Sequence, residues 1–285
     1  MIKLVLTDLD NTLIPHKPGE DFRDAMLSDQ AIAAIRALQD VGVHFGPVTG
    51  RAPASVAETF HYLPWTYSTG AYANGQLVCV DGDVVHREWT PAEPLQRVSD
   101  ILDEQPDGFL VFFDMEGDGP NWGVSRKYQM SQIKQSDFLR VSKLLPEVEG
   151  PTLKAIIRLH GSENTPQLCE QLRQEVPELD FVLPSPDAKV IDIMPKGYGK
   201  GSAVLIMADY LGIGTNEVAV FGDADNDISA LEAVPNSVAV SNASELAAAA
   251  ARWHIADALE ESVAQAMAEI AIATAQGEMP AFMCG

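Results

Sequence analysis

The chain has 285 residues, of which 46% are hydrophobic, and 41 acidic against 19 basic side chains give it a formal net charge of −22. This length allows one large domain or two smaller ones, and the hydrophobic content is normal for a packed core. The acidic balance argues against nucleic acid and anionic membrane surfaces as partners, because both attract clustered Lys and Arg. It still allows a small phosphorylated ligand, since one metal ion reverses the field inside a cleft.

The three cysteines are Cys79, Cys169 and Cys284, which lie far apart and form no C-x-x-C pair. The chain shows no secretory signal pattern and no apolar run long enough to span a membrane. An odd cysteine count in such a chain is typical of reduced thiols. We therefore expect a soluble, cytoplasmic protein that is a monomer or a homodimer.

The N-terminal part predicts a strand, a helix and a second strand. Residues 2–7 are almost entirely apolar, as in a strand buried on both faces. Residues 28–40 carry an apolar stripe of helical period, and residues 43–48 form the next apolar run before Thr49. This order is typical of a doubly wound α/β fold with a parallel sheet.

A different pattern fills residues 82–188, which we interpret as an inserted α+β module. It contains apparent strands at residues 108–113 and 155–159 and apparent helices at residues 91–104, 131–144 and 165–175. The α/β pattern then returns, with predicted helices at residues 201–211 and 227–233, strands at 217–221 and 237–240, and one Ala-rich helical region at 244–275.

Acidic residues follow two of the predicted buried strands. Asp8 and Asp10 come directly after the first strand, and Asp223 and Asp227 follow the strand at residues 217–221. An ordinary surface turn explains the first pair taken alone, and a helix cap explains the second. Because the carboxyl ends of parallel strands meet at one edge of the sheet, the two acidic ends together indicate a ligand site. Carboxylates that lie close together need a cation, and Mg²⁺ prefers carboxylates with phosphate and water.

Hydroxyl and cationic groups complete this pattern. Thr49-Gly50 ends the second strand and offers a hydroxyl and backbone N–H groups to a phosphate, while Lys200 at a helix start can neutralise a phosphate oxygen. Each of these short motifs is weak by itself.

The combination is similar to the haloacid dehalogenase (HAD) superfamily. The resemblance is carried by Asp8-x-Asp10-x-Thr12, Thr49-Gly50-Arg51, Lys200 and Gly222-Asp223-x-x-Asn226-Asp227, in that order. The place of the insertion resembles the class IIB cap of the Cof-type phosphatases, and so do the segments 191–195 and 238–243. The resemblance implies a Rossmann-like core over residues 1–81 and 189–285, with a specificity-determining cap over residues 82–188.

The resemblance also implies a role for each motif residue. Asp8 would be the covalent nucleophile and Asp10 the general acid and base of a phosphatase. Magnesium would be held by Asp8, the Asp10 carbonyl and Asp223, and Asp227 would support the metal site directly or through water. The phosphoryl group would be held by the Leu9 N–H, Thr49, Gly50, Lys200 and Asn226. Thr12 would orient the Asp8 carboxylate, and Arg51 would have a supporting role, pairing with an acid.

The sequence departs from the Cof-type pattern at one loop. Residues 68–71, Ser-Thr-Gly-Ala, occupy the place where Cof-type proteins often have Asn-Gly-Ala, and Asn74-Gly75 comes slightly later. In the insertion, Arg126, Lys127, His160 and Lys189 are candidates for contacting the leaving group of a small phosphorylated metabolite, for which a sugar phosphate is the best class.

Two alternatives remain at this point. A phosphosugar mutase of the same superfamily would keep both Asp8 and Asp10. A receiver-like phosphoacceptor, which is not an enzyme, would also combine acids, Thr and Lys around magnesium, although such proteins are much shorter.

Overall fold

The computed structural model describes residues 1–17, 25–104, 108–115, 121–133, 141–159, 165–183 and 189–284. They divide into two units, the first comprising Met1–His86 and Gly199–Gly285 and the second Arg87–Tyr198. The second unit therefore interrupts the first in the sequence. It overlaps the predicted insertion over residues 87–188.

The elements follow one another in this order. The chain begins with β1 (Leu4–Thr7), α1 (Asp29–Asp40), β2 (His44–Pro47), α2 (Pro53–Thr59), β3 (Gly70–Tyr72), β4 (Leu77–Val80) and β5 (Asp83–Arg87). It continues with α3 (Ala92–Glu104), β6 (Gly108–Phe112), β7 (Asn121–Val124), β8 (Val141–Leu145), β9 (Ala155–Leu159), α4 (Thr165–Glu175), β10 (Leu179–Val182) and β11 (Val190–Pro195). It ends with α5 (Lys200–Leu211), β12 (Val218–Gly222), α6 (Ile228–Ala233), β13 (Asn236–Val240), α7 (Glu245–Ala250), β14 (Trp253–Ile255) and α8 (Ser262–Gln276).

The first unit is built on a five-stranded parallel sheet in the order β14-β13-β12-β1-β2. Every residue of β1, β12 and β13 is buried, as expected for parallel strands covered by helices on both faces. From β1 the chain proceeds to β2 on one side, whereas β12, β13 and β14 lie on the other. Strand order thus reverses at β1, which is where open α/β sheets form a ligand crevice. The predicted α/β fold class is confirmed.

The second unit is an α+β structure. Its six strands are ordered β10-β11-β9-β6-β7-β8, and all neighbours are antiparallel except β7 and β8. The apolar side chains of α3 and α4 share one core cluster with residues of β6 and β9. This burial stabilises the helices on one face of the sheet.

One predicted helix in the second unit is wrong at its C-terminal end. Of the predicted helix at residues 131–144, residues 134–140 lie outside the described residues, and residues 141–144 belong to the strand β8. This strand pairs in parallel with β7, from Asn121 opposite Val141 to Val124 opposite Leu145. Pairing with a distant strand overrides the local helical pattern, because propensity is only a weak prior.

The Ala-rich region at the C-terminal end is also not one helix. The structure divides residues 244–275 into α7, the strand β14 and all but the last residue of α8. Ser244 caps α7 by accepting a hydrogen bond from the Ala247 N–H, and β14 extends the main sheet beside β13. Alanine favours a helix locally, but residues Trp253–Ile255 form backbone hydrogen bonds with β13 and therefore become a strand of the sheet. Within the described ranges, no helix has the length and apolar composition that crossing a membrane requires.

Candidate active site

The chain makes a tight turn immediately after β1, and this turn carries Asp8 and Asp10. The Ile14 N–H donates to the Leu9 carbonyl at 2.7 Å, and the Asn11 N–H donates to the Ile14 carbonyl at 2.9 Å. Asn11 has a φ of 58°, a left-handed conformation that Asn tolerates better than most residues. The turn folds Asp10 back beside the end of β1.

The second acidic loop follows β12, the strand next to β1. Both oxygens of the buried Asp227 carboxylate are engaged: Oδ2 accepts from the N–H groups of Asp223 and Ala224 at 3.0 Å each, and Oδ1 accepts from Lys200 Nζ at 2.6 Å. Asp227 therefore fixes the loop that presents Asp223.

Lys200 contacts both acidic segments, the turn after β1 and the loop after β12. Its ammonium lies 2.6 Å from Asp8 Oδ1 and 2.6 Å from Asp227 Oδ1, and its side chain is only 1% exposed. Lys200 begins α5, as predicted from the sequence. Burial of its ammonium opposes protonation, but the negative charges of Asp227 and Asp8 outweigh burial and raise the pKa of Lys200. The amine is therefore a permanent cation within this cluster.

Carboxylate oxygens of Asp8, Asp223 and Asp227 lie within 4.8 Å of one another. Burial, opposed by Lys200 and reinforced by the neighbouring acids, raises the pKa of Asp8 well above its ordinary value. Burial and the charge of Asp227 raise the pKa of Asp223 to about 7. The positive charge of one ammonium therefore does not fully neutralise the charges of these carboxylates. Their oxygens are the ligands that a hard divalent cation prefers.

Asp10 is held by different partners from Asp8. Arg51 donates from Nε to Asp10 Oδ2 at 2.9 Å and from Nη2 to Oδ1 at 2.5 Å, and His16 Nε2 lies 2.7 Å from Oδ1. Burial opposes ionisation of Asp10, but the hydrogen bonds from His16 and Arg51 outweigh burial and hold its pKa below the ordinary value. Thr59 Oγ1 accepts a further hydrogen bond from Arg51 Nη1 at 2.6 Å.

Thr12 contacts a different carboxylate from the expected one. The resemblance implied that it orients Asp8, but its buried hydroxyl donates to Asp223 Oδ1 at 2.6 Å. A hydroxyl has one proton to donate, and here that proton is directed at Asp223. Thr12 therefore links the turn after β1 to the loop after β12.

The residues predicted to hold a phosphoryl group lie at the ends of β1 and β2 and beside β12. Leu9 is buried, Thr49 is 1% exposed, and Gly50 is partly buried. The Thr49 carbonyl accepts from the Asn74 N–H at 2.9 Å, and the Asn226 amide donates to Asn74 Oδ1 at 3.4 Å. Asn74 thus connects two of the predicted phosphate-binding segments.

Sequence reasoning missed two polar residues of this region. Asn74 was assigned no role, because the Asn-Gly-Ala pattern is displaced along the chain, yet the structure places it against Thr49 and Asn226. His16 lies six residues after Asp10, and no sequence pattern indicated their contact.

Of the candidate residues in the second unit, His160 lies outside the described residues. Arg126 pairs with Asp100 at 2.9 Å, and Lys127 Nζ lies 5.5 Å from the centroid of the Tyr128 ring. Their roles in binding a leaving group, like that of Lys189, stay predictions.

Comparison with known proteins decides the family. The sequence profile of the haloacid dehalogenase-like hydrolases matches residues 5–267. The chain belongs to this family. The resemblance inferred from the motifs is therefore confirmed, and so is the enzyme class, since the curated relatives of this HAD protein include several phosphatases.

Individual relatives are distant but match over most of their length. A 5-amino-6-(5-phospho-D-ribitylamino)uracil phosphatase of Bacillus subtilis is 25% identical over 274 residues, covering 85% of this chain and 88% of the relative. An HMP-PP phosphatase of Escherichia coli is 24% identical over 261 residues, covering 85% of each chain. The structure of a HAD subclass IIB sugar phosphatase superposes with a TM-score of 0.72 at 20% identity, covering 93% of this chain and 97% of the other.

Proposed function

We propose that this HAD protein is a magnesium-dependent phosphohydrolase that acts on a small phosphomonoester, with Asp8 as the nucleophile and Asp10 as the general acid and base. The observation that carries the proposal is the pair of 2.6 Å contacts from Lys200 to Asp8 and Asp227. A buried cation among carboxylates at the reversal point of the sheet supports a site for a phosphate and a metal ion.

In the first step Asp8 attacks phosphorus, and the bond between phosphorus and the ester oxygen breaks. Asp10 donates its proton to the departing oxygen, so that the leaving group is released as a neutral alcohol. In the second step water attacks the aspartyl phosphate and gives a proton to Asp10. The bond between phosphorus and Asp8 then breaks, which restores the carboxylate and releases inorganic phosphate.

Asp8 and Asp223, with the backbone carbonyl of Asp10, are the groups proposed to hold Mg²⁺. Both carboxylates are buried and have raised pKa values, so a divalent cation fits their uncompensated charge. Asp227 supports this set indirectly, because its own oxygens are occupied by Lys200 and two backbone N–H groups. When bound, the ion supplies positive charge that favours the ionised nucleophile and neutralises phosphoryl oxygens.

Phosphoryl transfer depends mainly on positioning and charge. Lys200 supplies a buried positive charge beside Asp8, and Thr49, Gly50 and the Leu9 N–H supply neutral donors. Asn226 approaches from the loop after β12, with Asn74 as its partner. These groups are proposed to hold the three phosphoryl oxygens while Asp8 attacks.

The substrate class is a small phosphorylated metabolite, with a sugar phosphate as the leading candidate. The names of the relatives differ in the leaving group, although each is a phosphatase of a small molecule. The residues proposed for the shared chemistry all belong to the first unit, and the second unit is proposed to select the leaving group.

The test is a screen of the purified protein against a panel of phosphometabolites, with Mg²⁺ or with a chelator. We expect release of inorganic phosphate with Mg²⁺ only, and loss of that release in Asp8→Asn. Asp209→Asn, which removes an exposed carboxylate on α5, is the matched control and keeps wild-type turnover. Isomerised product without free phosphate would identify a mutase instead, and near-native turnover by Asp8→Asn would overturn the covalent mechanism.

A further inference from the structure

The segment at residues 241–244, which follows β13, contacts both acidic loops, and we call it the brace segment. On one side the Ser244 N–H donates to the Asp223 carbonyl at 2.8 Å, and Ser244 Oγ donates to Asp225 Oδ1 at 2.7 Å. On the other side Asn242 Nδ2 donates to the Asn11 carbonyl at 2.8 Å. The brace segment therefore ties the turn after β1 to the loop after β12.

Both the oxygen and the nitrogen of the Asn242 side-chain amide form hydrogen bonds. Its Oδ1 accepts from the Ala258 N–H at 2.9 Å, while its nitrogen faces the Asn11 carbonyl. A backbone N–H only donates and a carbonyl only accepts, so these two partners together allow one orientation of the amide. An aspartate of the same shape would keep the contact with Ala258 but would direct an oxygen at the Asn11 carbonyl.

The contacted carbonyl belongs to the residue directly after Asp10. Asn11 has a φ of 58°, and its own N–H is used within the turn by the Ile14 carbonyl. The Asn11 carbonyl instead accepts from Asn242, which is 231 residues away in the sequence. Together with the hydrogen bond from Thr12 to Asp223, this contact ties the tip of the turn to two neighbouring strand ends.

We infer that Asn242 is a positioning residue that holds the Asp10 turn in the geometry needed for metal binding and proton transfer. The inference rests on the proposed function, because it gives Asp10 its role. Asn11 and Asn242 are both exposed, so their hydrogen bond contributes little to overall stability, and its effect is local to the turn. A misplaced turn displaces the Asp10 carbonyl and carboxylate together.

The test compares Asn242→Asp with Asn236→Asp. Asn236 lies at the opposite end of β13, where its amide donates to the carbonyls of Asn216 and Val218 at 2.8 and 3.2 Å. Both variants add one negative charge and remove amide donors, but only Asn242 contacts the proposed site. Mg²⁺ affinity is measured by calorimetry on the substrate-free protein, and kcat, KM and Tm are measured alongside.

In Asn242→Asp we expect Mg²⁺ affinity and kcat each to fall about tenfold, as for other partners that orient metal ligands, with KM and Tm close to wild type. In Asn236→Asp we expect a lower Tm with kcat and Mg²⁺ affinity unchanged. Asn242→Ala, which lacks the added charge, repeats the losses of Asn242→Asp.

Wild-type Mg²⁺ affinity and kcat in Asn242→Asp would overturn the inference, and so would equal losses in the two aspartate variants. Failure of the proposed function has a different signature, since wild-type protein would then release no phosphate from any substrate. The calorimetric comparison still tests the positioning role in that case, because it needs no turnover.

Discussion

Arg51 donates one hydrogen bond to each carboxylate oxygen of Asp10, with Nε 2.9 Å from Oδ2 and Nη2 2.5 Å from Oδ1. This planar fork favours the ionised carboxylate, which is the form that activates water in the second proposed step. The first step instead needs a protonated Asp10. The contact with Arg51 must therefore loosen when Asp10 acts as the acid.

Replacement of Arg51 tests this relationship. In Arg51→Met the pKa of Asp10 rises, because the carboxylate loses two charged donors, so the acidic limb of the pH–rate profile moves to higher pH. In Arg51→Lys the acidic limb should lie at a pH between those of the wild type and Arg51→Met, because an ammonium keeps the positive charge but cannot form the two parallel hydrogen bonds of a guanidinium. Arg36→Met is the control, because Arg36 is exposed and packs 4.2 Å from the centroid of the Trp65 ring. If the acidic limb of Arg51→Met lay at the same pH as in wild type, Asp10 would not be the base whose ionisation causes that limb.

Asp10→Asn should separate the two chemical steps. With p-nitrophenyl phosphate the leaving group needs no proton, so phosphorylation of Asp8 proceeds while attack by water slows. We expect turnover to fall about a hundredfold or more, with phosphoenzyme visible by mass spectrometry after rapid quenching. Asp40→Asn, an exposed change at the end of α1, should behave as wild type. Turnover of Asp10→Asn at the wild-type rate would exclude its role as acid and base.

Lys200→Met should destabilise the metal-free protein strongly. The substitution leaves Asp8 and Asp227 buried without their shared cation, and breaking such a buried pair typically costs about 3–5 kcal/mol. Lys196→Met removes an ammonium that is 63% exposed and paired with Asp180, so it should have little effect. Urea unfolding at neutral pH with a chelator measures both variants. Similar midpoints for the two would show that Lys200 is not needed to compensate the acids.

We expect the proposed Mg²⁺ binding, and the stability of the protein, to depend on pH through Asp223. Its folded pKa of about 7 lies above the unfolded value of 3.8, so the folded metal-free protein binds the extra proton between these values. The contribution of Asp223 to stability therefore falls as pH rises through this window, and Mg²⁺ affinity rises because the metal needs the ionised form.

Calorimetry in buffers of different ionisation enthalpy should then detect proton release on Mg²⁺ binding below neutral pH and little release above it. Thr12→Val should move this release to higher pH, since the Thr12 hydroxyl favours the Asp223 anion. Thr66→Val is the control, because the Thr66 hydroxyl donates to the Leu63 carbonyl and contacts none of the acids. Release that is independent of pH would contradict the raised pKa.

Substitution of Gly75 tests how tightly the loop that carries Asn74 packs against Gly199 and Ala203. Gly75 has a φ of 99°, and an added Cβ would lie 2.9 Å from Ala203 Cβ and 3.0 Å from the Gly199 carbonyl oxygen. Gly82 has a similar φ of 91° with open space around it. Both alanine variants should lose about 1–2 kcal/mol for the left-handed backbone, and Gly75→Ala about 1–3 kcal/mol more for overpacking. Equal unfolding free energies for the two would show that α5 yields to the added methyl group.

Much of the fold was predictable because its strands are uniformly apolar and its helices have clear ends. Ser28 caps α1 through the Ala31 N–H, and Gly212 ends α5 in the left-handed conformation that glycine adopts without strain. The errors at residues 141–144 and 253–255 arose where these residues pair as strands with neighbours that the local pattern does not contain. Local pattern carries no information about such pairing.

The sequence by itself determined the order of the chemical groups, with two buried strands that end in acids and with Thr49 and Lys200 between and beside them. Their combination indicated a resemblance to the family, which the profile match over residues 5–267 then showed. Only the tertiary structure decided which groups touch. It directed Thr12 to Asp223 rather than Asp8, set Arg51 and His16 on Asp10, and brought Asn242 to the turn after Asp10. Hydrogen bonds are short-range and directional, so contacts between residues hundreds of positions apart depend on how the strand ends converge.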